Sequence, residues 1–415
     1  MLAYYENEGT LVCSPFSDVP LKPWKGAPGG EQGIFLFRRD PAFSRAAFSV
    51  NHPGQLAAET EDVRWLDGSR LPRGWDLPPL LWEWIKAGKM RGVNANHPRW
   101  RELLTFPGKT AKKRVHILAI GDVGSTLLMG LRLLGGDVIS AIGICDLSET
   151  VTSRWEMEMN QVSLPWEYDA FPPVEAVSPE QLFDCDLFVF VASKGIPPVG
   201  SGVQDVRMAQ LEANAAIVAH YARQARRVGF RGLWAAVSDP VDPLAQVAYW
   251  ESNRDENGSF DGKGLLPQQI QGFGLGVMNA RAAYYAKRDS RFSSFLTEGR
   301  AFGPHGEDLV IANSVEHYDD ALSRELTRLA VTANLKMREL GYKAYVAPAL
   351  SSGALSLLLS LRGKWHYSSV FLGGAFLGVK NRWTPAGVET EVLPAMDQAL
   401  FMRIDEAAAH LRALS

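Results

Sequence analysis

An α/β fold, a doubly wound parallel sheet followed by an α+β domain and preceded by a separate N-terminal region, is what three features of this sequence predict. From residue 114 onward, short apolar runs alternate with segments of helical spacing; the first of these runs ends on a glycine-punctuated turn; and the first 110 residues share neither habit. Strands alternating with helices put helices on both faces of a parallel sheet. The division expected is 1–110, 111–245 and 246–415.

The first region holds six of the 12 Trp, among many Pro and Gly, and few long periodic segments. Short strands and turns are expected, with a helix from Pro78 to Lys89 and a break at Asn96-His97-Pro98 before Trp100 to Leu104. No motif for chemistry stands out there. A folded cap or oligomerisation element is one reading, and a second ligand site that regulates the rest is the other. Beyond it, Val115 to Ile120 reads as a strand and Ser125 to Leu134 as a helix. Val138 to Cys145 follows as a strand ending at Asp146. Leu187 to Ala192, a helix from Val206 to Val228, and Gly232 to Val237 continue the alternation.

At 415 residues with 46% hydrophobic and 21% charged residues, the chain has enough apolar surface for two or three cores. A formal net charge of -3 supplies no field for phosphate backbones or anionic lipid, and Lys112, Lys113 and Arg114 are a short solvated run. Neither nucleic acid nor membrane is an expected partner. Cys13, Cys145 and Cys185 offer no paired framework and no metal-ligand spacing, so a reducing, cytoplasmic setting and no metal are expected. Met1 to Asn7 lacks the pattern of a secretory signal. The longest apolar run, Ala344 to Leu361, is broken by Pro348 and Gly353 and reads as a buried helix.

Ala119-Ile120-Gly121-Asp122-Val123-Gly124 follows one strand and opens a helix, the context a dinucleotide-binding turn of a Rossmann-type sheet requires. Gly121 lets the backbone approach a pyrophosphate, Gly124 lets helix and strand pack closely, and the helix N-terminus offers unpaired amides. Ala119 stands where such turns carry their first glycine. Asp146, 22 residues beyond Gly124, is placed to accept hydrogen bonds from a ribose and to repel a 2'-phosphate, favouring NAD over NADP.

Further on, Gly303-Pro304-His305-Gly306-Glu307 resembles the segment of the lactate/malate dehydrogenase family that carries the catalytic histidine. Asn279-Ala280-Arg281 resembles its helical segment whose arginine grips the substrate carboxylate. Arg207, seven residues before Asn214, matches the lid arginine that polarises the reacting carbonyl, and Val237-Ser238-Asp239-Pro240-Val241-Asp242 resembles its strand-end turn. The resemblance covers about three quarters of the chain. It implies an NAD-dependent oxidoreductase acting on a small 2-oxo or 2-hydroxy acid, and a homo-oligomer. His305 would exchange the proton, Arg281 would anchor the carboxylate and Arg207 would stabilise the developing alkoxide.

Three departures stand out. The family's aspartate three residues before the substrate-binding arginine, which orients the histidine, is Met278. By analogy with the serine-protease triad, spoiling such a carboxylate lowers kcat about 10⁴-fold, or roughly 5 kcal/mol of barrier. The family's strand-end asparagine is Asp239, expected to supply the carboxylate that Met278 lacks. The small hydroxyl residue usual near Ala344 is absent. The segment from Lys194 to Val206 is longer than the usual lid, so lid residues do not reveal the substrate side chain, and Lys194 is either a further cation for a second carboxylate or an ordinary solvated lysine. The alternative function is an NAD-binding, dehydrogenase-like sensor or scaffold with weak or no catalysis.

Overall fold

The computed structural model describes residues 2–106, 111–194 and 206–414, the side chains of 206–210 excluded. Residues 3–94 build a six-stranded sheet in which Thr10–Ser14, Gly33–Phe37 and Met90–Asn94 run parallel at the centre. The expected helix is Pro79–Lys86, and Trp100–Leu104 is a 3-10 turn.

The second sheet begins with β1 (Lys113–Leu118), α1 (Asp122–Leu134), β2 (Ile139–Cys145), α2 (Glu149–Asn160) and β3 (Val174–Ala176). It continues through β4 (Leu187–Phe190), α3 (Val206–Arg227), β5 (Leu233–Ala236), α4 (Val241–Ser252) and β6 (Ile270–Gly272). These six strands are parallel in the order β3-β2-β1-β4-β5-β6, the doubly wound dinucleotide-binding order whose direction reverses beside β1. The parallel sheet therefore runs past residue 245 to Ile270–Gly272.

Helix α5 (Leu275–Ala286) follows β6, then the two-stranded β7 (Arg300–Phe302) and β8 (Val310–Ala312) and helix α6 (Asp320–Glu339). The run from Ala344 enters the expected buried helix through a π-helical stretch, Pro348–Leu355, leading into α7 (Ser356–Leu361). Strands β9 (His366–Leu372), β10 (Ala375–Thr384) and β11 (Gly387–Thr390) extend the large sheet, β9 antiparallel to β6, and α8 (Gln398–Ala413) closes the chain.

Both faces of the parallel sheet are covered, and its central strands β4 and β5 are apolar throughout. Leu187 and Val189 join Leu127, Leu128 and Leu131 of α1 on one face. Phe188 and Phe190 join Trp234, Val218 and Leu244 on the other. This alternation is the pleat's period of two.

The N-terminal region is bonded into the remainder at several places. Arg91 donates to the carbonyls of Pro385 and Ala386, Asn51 to that of Thr390, and Leu66 and Gly68 exchange backbone hydrogen bonds with Leu393. Tyr249 donates to the Pro41 carbonyl, and Gln268 accepts from the Ala46 amide. Cys13, Cys145 and Cys185 are unpaired, as expected. No described helix is long and apolar enough to cross a membrane.

Candidate active site

The carboxyl ends of the parallel strands meet on one edge, where open α/β sheets receive ligands. At the end of β1 the chain turns through Ala119, with φ +76°, and Gly121 caps α1. A Cβ at Gly124 would lie 2.1 Å from the Ala119 carbonyl oxygen, while one at Gly121 would meet nothing within 4 Å. Gly124 thus packs closely against the turn, and Gly121 leaves open space on its Cβ side. Val123 is half-buried in this first turn, and the exposed Asp122 pairs with Lys343 at 2.7 Å. Asp146, at the end of β2, accepts from the Ile120 amide at 2.8 Å and the Ser148 amide at 3.2 Å. It is locked onto the glycine turn and still half-exposed, with acceptor capacity to spare.

His305 sits in the loop between β7 and β8 and is held by three contacts. Its Nδ1 donates to the Gly274 carbonyl at 2.9 Å, its backbone amide donates to Asp242 Oδ2 at 3.0 Å, and its Nε2 faces Asp239 Oδ1 at 3.8 Å. A carbonyl only accepts, so the proton of neutral His305 is on Nδ1 and the lone pair is on Nε2. A Cβ on Gly274 would come within 2.7 Å of His305 Cβ, so only glycine lets the ring lie there.

The expected substitution of Asp239 for the missing orienting carboxylate is met in position and altered in role. Asp239 is close to His305, but on the Nε2 side and beyond hydrogen-bond reach. The orienting group is a neutral carbonyl, itself fixed by Ser352 Oγ at 2.6 Å. Ser352, eight residues beyond Ala344, is buried, placed by the π-helical stretch, and turned toward the backbone.

Arg281 lies on α5, half-buried, with Nη1 3.5 Å from Met278 Sδ and 3.4 Å from the Ala330 carbonyl. Burial lowers its pKa, and the Asp239 charge works against that shift. Neither of these partners is a carboxylate, so its fork is weakly committed. Arg207 lies in α3, but its side chain, like residues 195–205 of the lid, is outside the described residues. Lys194 is exposed, and its amide donates to Asn214 Oδ1 at 3.0 Å.

Two buried residues of the site were quoted in the sequence motifs without a role. Asp242, three residues past Asp239, is fully buried, and its pKa is pushed up to about 6 by burial against the pull of the His305 amide and the Ser369 hydroxyl. Its spacing, one helical turn from Asp239, was the available signal. Asn214, also buried, donates to the Asp239 carbonyl at 2.8 Å and to Ser193 Oγ at 3.3 Å, joining α3, the lid's first residues and the β5 turn. Elsewhere, a cleft of about 480 Å³ between the N-terminal region and α8 is lined by Arg39, Asp62, Arg64, Asp405 and Arg412. Arg64 there pairs with Asp62, and no residue of the His305 group takes part.

No family model matches the chain. The L-lactate dehydrogenase of Mycoplasma genitalium is 27% identical over 201 residues, 48% of this chain and 57% of that protein. That of Mesomycoplasma hyopneumoniae is 24% identical over 203 residues, 48% and 58% respectively. The chain thus spans less than three-fifths of the length of these relatives. Among solved structures, a lactate dehydrogenase from a Medee basin deep-sea metagenome library superposes with a TM-score of 0.59 at 16% identity, over 74% of this chain and 98% of that one. The malate dehydrogenase of Archaeoglobus fulgidus in complex with NADH gives 0.56 at 16% identity, over 72% and 98%. These likenesses show the fold.

Proposed function

We propose that this chain, a divergent member of the lactate/malate dehydrogenase family by fold and sequence, is an NAD-dependent oxidoreductase. It transfers a hydride between the nicotinamide and the carbon next to the carboxylate of a small acid, the 2-oxo/2-hydroxy pair being the first to assay. The observation that carries this reading is the meeting of His305, Asp239 and Arg281 at the same sheet edge as the Gly121–Gly124 turn.

The residues present fit the cofactor. The open space at Gly121, the unpaired amides of the α1 N-terminus and the half-exposed Asp146 carboxylate suit a pyrophosphate and an adenosine ribose. Bound there, NAD supplies the hydride acceptor or donor. Arg281 binds the substrate carboxylate in two parallel hydrogen bonds. His305 Nε2 gives its proton to the reacting oxygen on reduction and recovers it on oxidation, while Gly274 and Asp242 hold the ring in place. Arg207 is the proposed group that meets negative charge on that oxygen. A homo-oligomer in the cytoplasm is the proposed setting, with residues 1–110 as a region apart from the cofactor (111–245) and substrate (246–415) parts.

The second reading, an NAD-binding sensor or scaffold with weak or no turnover, is favoured by one observation: Nδ1 of His305 meets a carbonyl, and Met278 occupies the orienting position. The test is NADH oxidation by purified protein against a panel of 2-oxo acids, with His305→Ala as control. Turnover reduced about 10²–10⁴-fold in the control supports the enzyme. NADH binding without turnover on any acid supports the sensor.

A further inference from the structure

The charge around His305 Nε2 is not what a plain 2-oxo acid selects. Asp239 Oδ1 lies 3.8 Å from that nitrogen, with its side chain 55% exposed. The second carboxyl, Asp242, stands behind the ring on the His305 amide. Among the described residues, the cation that acts on Asp239 from α5 is Arg281. The Arg281 charge, which would otherwise attract a simple anion, is therefore already opposed before any substrate enters. An ionised carboxylate only accepts hydrogen bonds. A carbonyl oxygen brought to Nε2 must approach Asp239 with lone pairs facing lone pairs, and the negative charge that builds on it during reduction meets the same sign.

A nitrogen in place of that oxygen reverses both conflicts. Its N–H donates to Asp239, and positive charge on it is paired. The geometry points to a 2-imino acid and its 2-amino acid as the pair this site takes best, with Arg281 on the carboxylate and Asp239 on the nitrogen. This inference rests on the dehydrogenase reading above and refines its substrate class. In the reductive direction the carbon of the protonated C=N group accepts a hydride from a dihydronicotinamide, which is oxidised to the nicotinamide cation. The C=N π pair becomes the nitrogen lone pair, which takes a proton from His305 Nε2 to give the ammonium group. His305 regains its proton from solvent.

The test is calorimetric titration of the full-length protein saturated with NADH. Oxamate mimics a 2-oxo acid, and glycine, alanine and proline are the amino-acid products. NADH oxidation with the stable cyclic imine 1-pyrroline-2-carboxylate, against pyruvate, is followed in parallel. At least one amino acid is expected to bind about tenfold or more tightly than oxamate, and Asp239→Asn, which removes the negative charge and adds an N–H donor, should reverse that order. The Asp239 side chain makes no hydrogen bond among the described residues, so a melting curve close to wild type is expected for the variant. Oxamate binding as well as or better than every amino acid, an order unchanged in Asp239→Asn, or binding of neither class overturns the inference. NADH bound and pyruvate reduced in those cases leaves the dehydrogenase reading standing. Failure to bind NADH overturns both.

Discussion

Two glycines three residues apart should fail in opposite ways when each is given a methyl group. In Gly124→Ala the new Cβ would stand 2.1 Å from the Ala119 carbonyl oxygen and 3.1 Å from its carbonyl carbon, both backbone atoms. Ordinary contact begins near 3.4 Å, so α1 and the turn must part by roughly 1.3 Å. Ala119 is already in the left-handed region and has little freedom to yield. The helix cannot shift freely either, because Leu127, Leu128 and Leu131 are fully buried against the sheet. Overpacking of this kind costs about 1–3 kcal/mol, and obstruction by backbone puts the expectation near the upper end. Over 415 residues, a loss of about 3 kcal/mol lowers melting by roughly 3–4 °C. Gly121 has φ -79° and ψ -162°, which any residue adopts, and its Cβ direction is empty. Gly121→Ala should therefore keep its stability within about 0.5 kcal/mol, yet weaken NADH binding tenfold or more by filling the space kept for the pyrophosphate. Urea denaturation and NADH fluorescence titration of both variants read the two effects separately. Unchanged NADH affinity in Gly121→Ala would refute the assignment of this turn to the cofactor, and unchanged stability in Gly124→Ala would refute the packing argument.

Ala119→Gly removes a left-handed alanine costing about 1–2 kcal/mol and adds back roughly 0.5–1 kcal/mol of unfolded-state freedom. A small rise in denaturation midpoint is expected, and a fall would contradict the strain at φ +76°. Gly274→Ala pushes a methyl against His305 Cβ, so turnover should fall sharply while NADH still binds; wild-type turnover would show that the ring's position is unimportant. Burial pushes His97 and His366 down to about 4. Their unfolded forms bind more protons between pH 6.5 and pH 4, so each stabilises the fold above that window and loses about 3 kcal/mol as pH falls through it. Asp242, raised to about 6, has the opposite sign: its burial cost is complete above pH 6 and about 3 kcal/mol of it is relieved by pH 4. Asp242→Asn should therefore lose about 3 kcal/mol more than wild type between pH 6.5 and pH 4, measured by denaturation at both, and parallel profiles would exclude this role.

Much of the cofactor half was legible because local chemistry dictates it. A strand, a glycine turn and a helix in sequence leave few alternatives, and Asp146 falls at the next strand's end for the same reason. The long-range part was legible only where side chains carry their chemistry openly, as with His305 and Arg281. The partner of His305 Nδ1 is the backbone carbonyl of Gly274, 31 residues away, and no residue type signals a carbonyl. Ser352 was hidden because a π-helical stretch sets its position, and helical spacing alone does not foresee that register. Asp242 was visible as a residue but not as a buried one, since only the packing of β6 and β9 around it removes water. The parallel centre of the first sheet was illegible because its pairing depends on a connection through residues 38–89 that mixes turns, short helices and a strand.

The bonds between Arg91 and residues 385 and 386, and between Asn51 and Thr390, join positions 294, 295 and 339 residues apart in sequence. A chain made from its N-terminus can pair Thr10–Ser14 with Gly33–Phe37 and Met90–Asn94 early, yet the residues these bonds reach are made 294 or more positions later. Contacts of such high sequence separation are slow to close. Apolar groups such as Val63 and Leu66, which share a core with Val388, Leu393 and Leu400, depend for their shelter on that later arrival. The nascent first sheet therefore has one flank uncovered until those residues are made, an interval in which large chains are open to aggregation and to chaperones.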